Sequence, residues 1–103
     1  MARAFVLIDV LPNRDKEVLE ALGKMPFVIA KRPLKQRVGQ ADLIALVEGK
    51  DQGELETFIT SRMRMTWVHS VKRVQPHHTM LGWVQREMEE MAREVEARGS
   101  PPS

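Results

Sequence analysis

Two stretches of the chain are apolar at every position, whichever way the side chains alternate. Residues 4–10 read Ala-Phe-Val-Leu-Ile-Asp-Val, and residues 43–47 read Leu-Ile-Ala-Leu-Val. Runs rich in β-branched, aliphatic and aromatic residues are typical of strands covered on both sides. The pattern therefore predicts that these two segments are the central strands of one sheet.

Two further strands are predicted at the edges of that sheet. Residues 27–30 read Phe-Val-Ile-Ala, turn basic at Lys31 and Arg32, and reach Pro33, which cannot donate a backbone hydrogen bond. Residues 66–74 are rich in β-branched residues but carry polar residues on both faces. Both patterns indicate strands that are less deeply buried than the central pair.

A helix is predicted after each central strand. Asn13 is expected to cap the first helix and Gly23 to end it. Asp51 is expected to cap the second, with Glu54 three residues on as in a capping box. Each helix carries one apolar stripe, made of Val18, Leu19 and Leu22 in the first and of Leu55, Phe58, Ile59 and Met63 in the second.

The order strand, helix, strand, strand, helix, strand predicts an α+β domain with the ferredoxin-like βαββαβ fold over residues 4–76. Right-handed crossovers place both helices on the same face of the sheet. Because the opposite face is also apolar, we expect a second copy to cover it, as in a dimeric αβ sandwich or barrel.

A third helix is predicted over residues 80–98. Its apolar positions follow the spacing 3, 4, 3, 4 and form one seam of Leu81, Val84, Met88, Met91 and Val95. Two heptads are too few for an independent coiled coil, which leaves docking onto a subunit or pairing with a partner regulator's helix. Residues 99–103, Gly-Ser-Pro-Pro-Ser, are expected to be a disordered tail.

Composition narrows the class of protein. A chain of 103 residues suits one domain, and the absence of cysteine excludes a disulfide framework and a thiolate metal site. The apolar run of residues 4–11 is too short for a signal peptide or a membrane span, so we expect a cytoplasmic protein without a membrane partner. A net charge of +2 is modest, and direct nucleic-acid binding is not favoured.

The sequence assigns neither catalytic residues, nor a metal site, nor a cofactor. No carboxylate pair, Ser-His-Asp set or phosphate-binding glycine loop can be assembled from its residues. The three histidines, His69, His77 and His78, lack a second cluster of ligands at metal-binding spacing. The basic cluster alternates with Pro and Gln, as a solvated edge strand would; it consists of Lys31, Arg32, Lys35 and Arg37.

Three segments together resemble the effector domain of the Lrp/AsnC family of regulators. They are residues 4–10, residues 39–48, which read Gly-Gln-Ala-Asp-Leu-Ile-Ala-Leu-Val-Glu, and residues 55–59. The most specific element is the Gly-x-x-Asp turn that enters an apolar strand, and the resemblance runs from about Ala4 to Gln75. In the family this domain follows a DNA-binding helix-turn-helix, for which there is no room before Ala4, so the resemblance implies a stand-alone version.

The resemblance also implies a function. Domains of this family dimerise through their sheets, often assemble further, and bind amino acids or related small molecules at subunit interfaces near the Gly-x-x-Asp turn. The implied site comprises Gly39, Gln40, Ala41 and Asp42, together with His69 and Ser70 on the last strand. A structural interpretation stays open, in which Gly39 supplies a positive φ and Asp42 caps the amides of the turn.

Two other function classes also stay open. Small enzymes of the dimeric αβ-barrel type, such as monooxygenases and heme-degrading proteins, share the predicted fold and would use His69 or His77. A nucleic-acid-binding accessory protein would use the basic edge strand. The family resemblance favours the non-enzymatic, ligand-sensing homo-oligomer over both.

Overall fold

The computed structural model describes residues 1–38, 40–74 and 82–99, with backbone alone at 37, 38 and 99. The elements follow the predicted order and are β1 (Ala2–Val10), α1 (Asp15–Gly23), β2 (Val28–Val38), β3 (Ala41–Gly49), α2 (Gln52–Thr57) with a π-helical turn (Phe58–Arg62), β4 (Val68–Val74) and α3 (Gly82–Gly99). The predicted α+β, ferredoxin-like fold is confirmed.

The four strands form one antiparallel sheet in the order β2-β3-β1-β4. The two strands that are apolar on both faces, β1 and β3, are central and pair from Ala2 opposite Gly49 to Ile8 opposite Leu43. The two strands with polar or proline interruptions are the edges. The burial of each strand was therefore readable from its pattern, because a central strand must satisfy two covered faces.

One face of the sheet packs against α1, α2 and the π-helical turn. Its core consists of alternate residues of β1 and β3 together with the helical stripes; fully buried members include Val6, Ile8, Leu43, Ala45, Val47, Val18, Leu22, Leu55 and Met63. The π-helical turn also stacks Phe58 on Phe27, with ring centroids 4.2 Å apart and planes 13° apart. This face closes entirely through the two crossover segments.

The other face packs against α3 of the same chain. Phe5, Leu7, Ile44 and Leu46 form a second core with the helical seam of Val84, Met88, Met91 and Val95. The prediction that a second copy must cover this face was wrong for this structure, because the sequence cannot say which chain supplies the helix. Of the two alternatives for the helix, docking onto a subunit is the observed one, and its apolar seam does not face a partner regulator.

Several predicted boundaries also change. Asn13 does not cap α1; it adopts a positive φ of 67°, which asparagine tolerates better than most residues, and the cap position is Arg14, which makes no side-chain cap bond. β2 continues to Val38, well beyond Ala30, through two register irregularities on either side of Pro33. Asp51 caps α2 as predicted, since its Oδ1 accepts the Glu54 amide at 2.8 Å.

The C-terminal prediction changes at one position. Gly99 belongs to α3 and not to the expected tail, while the start of the predicted helix at residues 80 and 81 and the rest of the tail at 100–103 lie outside the described residues.

Candidate functional site

The candidate site lies at the end of the sheet where β1 finishes and β3 and β4 begin. Asp42 follows the Gly-x-x turn into β3, one position beyond the last paired residues, Ile8 and Leu43. On the other side of β1, Ser70 of β4 is paired with Asp9. The strand register therefore brings together two predicted site residues, Asp42 and Ser70, which are 28 positions apart in the sequence.

All three side chains belong to the face that α3 covers. Along β1, Val6, Ile8 and Val10 point to the crossover helices, so Asp9 shares the opposite face with Leu7. The same alternation places Asp42 with Ile44 on that face. The row Ser70, Asp9, Asp42 thus crosses three neighbouring strands on one side of the sheet.

Asp42 has a structural contact within this row. Its Oδ2 accepts the backbone amide of Val10 at 3.2 Å, where β1 and β4 shift register between Asp9 and Val10. The expected structural role of Asp42 was to cap the amides of its own turn, whereas the amide that the structure assigns to it belongs to β1. Asp42 therefore ties the entry of β3 to the exit of β1.

Asp9 is a site residue that the sequence reasoning missed. It is 93% buried at the end of β1, beside the Asp42 carboxylate on the next strand. Like charges on directly opposed positions of neighbouring strands destabilise a sheet. The available signal was a single acidic residue within the otherwise apolar run of residues 4–10.

The other predicted site residues take different positions. Gln40 is exposed in the turn, Ala41 is buried in the core beneath α3, and Gly39 lies outside the described residues. His69 is exposed and is the extra residue of β4 where Ser70 pairs with Asp9 but Val68 pairs with Val10. The structure therefore brings Asp42 and Ser70 together but places His69 in a bulge.

Arg32 marks the centre of the same face. It lies opposite Ile44 on β2 and donates to Glu87 of α3 at 2.5 Å, to Glu90 at 3.4 Å and, through its other terminal nitrogen, to Glu94. Burial lowers the pKa of Arg32, but the hydrogen bonds and negative charges of Glu94 and Glu87 outweigh burial and raise it above its ordinary value. The expectation that Arg32 belongs to a solvated edge was wrong, because it binds α3.

A groove of about 390 Å³ lies at the opposite end of this face, between α3 and the start of β1. It is lined by Arg3, Phe5, Leu46 and Ala92 among others, and Arg73 reaches it from β4. Arg3 already pairs with Glu48 at 2.7 Å, and Arg73 with Glu56 at 2.6 Å. Its guanidinium groups are thus engaged by acidic neighbours, unlike the carboxylate row at the other end.

Two searches of the described residues gave no candidate. No helix there is both long and apolar enough to cross a membrane. No three histidine, aspartate or glutamate side chains of residues 1–38, 40–74 and 82–99 group in a way that could hold a metal ion. His77 and His78, named in the metal hypothesis, lie outside those ranges.

Comparison with known proteins finds relatives among solved structures. FFRP-DM1 superposes with a TM-score of 0.65 at 31% identity, over 72% of this chain and 96% of its own. The hypothetical protein PHS023 from Pyrococcus horikoshii gives 0.62 at 29% identity, over 79% of this chain and 100% of its own. TTHA0845 from Thermus thermophilus gives 0.63 at 29% identity, over 79% and 99%.

These similarities define the class of protein. The chain has an Lrp/AsnC-like fold, and its similarity to FFRP-DM1 supports a regulatory domain of that kind and not an enzyme. No family model matches the chain, and no curated protein matches it.

Proposed function

We propose that this chain is a stand-alone Lrp/AsnC-type sensing domain of the cytoplasm, which binds an amino acid or a similar small molecule and acts as a homo-oligomer without catalysing a reaction. The ligand site comprises the turn residues Gly39, Gln40, Ala41 and Asp42, with Ser70 beside them. Asp9 is added to the site that the sequence predicts, whereas His69 is left at its margin.

The observation that carries the proposal is the row Ser70, Asp9, Asp42 on one face of the sheet. Two carboxylates from neighbouring strands meet there, and one of them is 93% buried. An ammonium group placed against them would offset their repulsion and form charge-assisted hydrogen bonds. The Ser70 hydroxyl, on the far side of Asp9, is both a donor and an acceptor for a polar ligand.

The homo-oligomer is proposed because of the similarity to Lrp-like proteins and because the site opens at an end of the sheet. Gln40, His69 and Ser70 are all exposed there, so one copy does not enclose a ligand. Small-molecule sites bury most of the ligand surface. A second copy at this end would supply the missing wall.

A thermal-shift screen with the twenty amino acids tests the proposal. A ligand present at a hundredfold its dissociation constant adds about 2.7 kcal/mol to the free energy of unfolding, which gives a shift of several degrees in a domain of this size. A flat profile for all twenty amino acids would contradict an amino-acid effector.

Two isosteric variants then test the site itself. Asp42→Asn keeps an oxygen that can accept the Val10 amide but removes the negative charge, and Asp9→Asn removes the charge of the buried neighbour. We expect either variant to abolish the shift. Glu20→Gln, which removes an exposed carboxylate from α1, is the matched control and should bind as the parent does.

A further inference from the structure

The direction of α3 on the sheet creates a problem of reach. The end of α3 lies over the start of β2, where Arg98 donates to the Ile29 carbonyl at 3.2 Å, whereas Glu87 binds Arg32 further along that strand. α3 is therefore antiparallel to β2. Because neighbouring strands alternate in direction in the order β2-β3-β1-β4, α3 runs the same way as β4.

The chain between β4 and α3 must consequently return along the length of the sheet. β4 ends at Val74, opposite Phe5, close to the end of the sheet where Arg98 lies. The start of α3 at Gly82 is 16 residues before Arg98, or roughly 24 Å at 1.5 Å per residue. The eight steps from Val74 to Gly82 reach at most about 26–29 Å, so the connection has little slack.

The contacts that hold α3 are independent of which copy supplies it. They consist of the apolar seam on Phe5, Leu7, Ile44 and Leu46, and of the charge-complementary Arg32 and Glu87, Glu90 and Glu94. An exchanged helix makes the same contacts on a neighbouring sheet, so only the connection and the cost of association distinguish the two states. Short connections with little slack favour exchange.

The helix is also an addition to the common fold. The 72% and 79% of this chain that match the solved relatives account for nearly the whole of those chains and leave about 29 and 22 residues over, the size of the C-terminal segment. β1 to β4 span Ala2–Val74, which is close to the matched length. The sheet face beneath α3 thus has a cover particular to this chain.

We propose that the sheet face beneath α3 is an exchange surface, and that its occupant in the oligomer is α3 of a second copy. Two chains that swap α3 form a closed dimer in which each sheet is covered by the partner's helix. This inference deepens the proposed homo-oligomer but leaves the ligand aside, so a negative amino-acid screen would not affect it.

Changing the length of the connection is the first test, read by light scattering of the full chain. Deleting residues 76–78 leaves five steps with a reach of about 16–18 Å, too short for self-docking, and should fix the protein as a dimer of about 23.6 kDa, twice 11.8 kDa. Inserting six Gly and Ser residues should give a monomer instead. A deletion variant that stays a folded monomer would overturn the proposal.

Charge exchange across the helix contact is the second test and identifies the helix directly. Arg32→Glu alone, and Glu87→Arg with Glu94→Arg alone, each oppose like charges across the contact. When the two variants are mixed, only exchange pairs opposite charges on both sheets, so a heterodimer should form, detected by native mass spectrometry with one chain ¹⁵N-labelled. Absence of a heterodimer from two folded variants contradicts exchange, and the linker series decides if either variant fails to fold.

Discussion

The two faces of the sheet are covered by different means. The face against α1 and α2 is closed by the two crossover segments that connect the strands, and its core consists of aliphatic, aromatic and methionine side chains. The face against α3 has a smaller apolar core and also contains a buried Glu87, which binds Arg32, and a buried Asp9. The first face specifies the fold, whereas the second carries the charged groups on which recognition depends.

This difference indicates where change is tolerated. Removing the helices of the first face would leave the strands unconnected, but α3 follows the last strand and can detach without altering the connectivity. Polar groups buried at the second face depend on their partners, because an unpaired buried charge costs several kcal/mol. Stability and function therefore draw on opposite sides of one sheet.

The largest expected effect breaks the first face. Leu43→Ala removes a fully buried side chain beneath the crossover helices and should lower the free energy of unfolding by about 3–5 kcal/mol. Leu46→Ala, at 2% exposure beneath α3, is the matched substitution. In urea titrations of chains ending at Gln75, the Leu46 effect should shrink sharply while the Leu43 effect persists; equal effects in both lengths would refute the comparison.

Breaking the Arg32 contact should act mainly on the second face. Arg32→Ala leaves the carboxylate of Glu87, which is 3% exposed, without its partner and should cost about 3 kcal/mol. Hydrogen exchange should show faster exchange of the α3 amides and nearly unchanged rates in α1. The control is Glu90→Ala, whose longer contact is half exposed and is worth about 0–1 kcal/mol.

A smaller effect is expected from the cap of α2. Asp51→Ala removes the acceptor of the Glu54 amide and should lower the free energy of unfolding by about 1 kcal/mol. Asp51→Ser, which retains a capping oxygen, should recover most of the loss in thermal melts. A full loss with serine would show that the carboxylate charge matters more than the hydrogen bond.

The smallest effect has the opposite sign. Asp9→Asn removes one of two neighbouring negative charges and should stabilise the ligand-free protein by about 0.2–1 kcal/mol, while weakening the proposed binding. Guanidinium titration without added amino acid measures the first effect. A loss of stability would indicate that the Asp9 charge has a structural role, which would remove it from the proposed site.

The sequence predicted the sheet better than it predicted the site. The doubly apolar β1 and β3 and the interrupted β2 and β4 identified their own places, because burial on both faces leaves a local pattern. The roles of Arg32 and Asp9 were not readable, because the face on which a side chain lies at the end of a strand depends on pairing with distant residues. The helical seam of α3 was likewise evident, but its docking face belongs to tertiary structure.

The proline on the outer strand has a consequence for assembly. β2 pairs with β3 on one side, and Pro33 interrupts the row of amides along the strand, which also carries exposed Lys31 and Lys35. A further strand cannot easily be added there, so this margin is a poor template for open-ended polymerisation. Association of the protein should then stop at closed particles of defined size, even at the high concentrations that favour fibres.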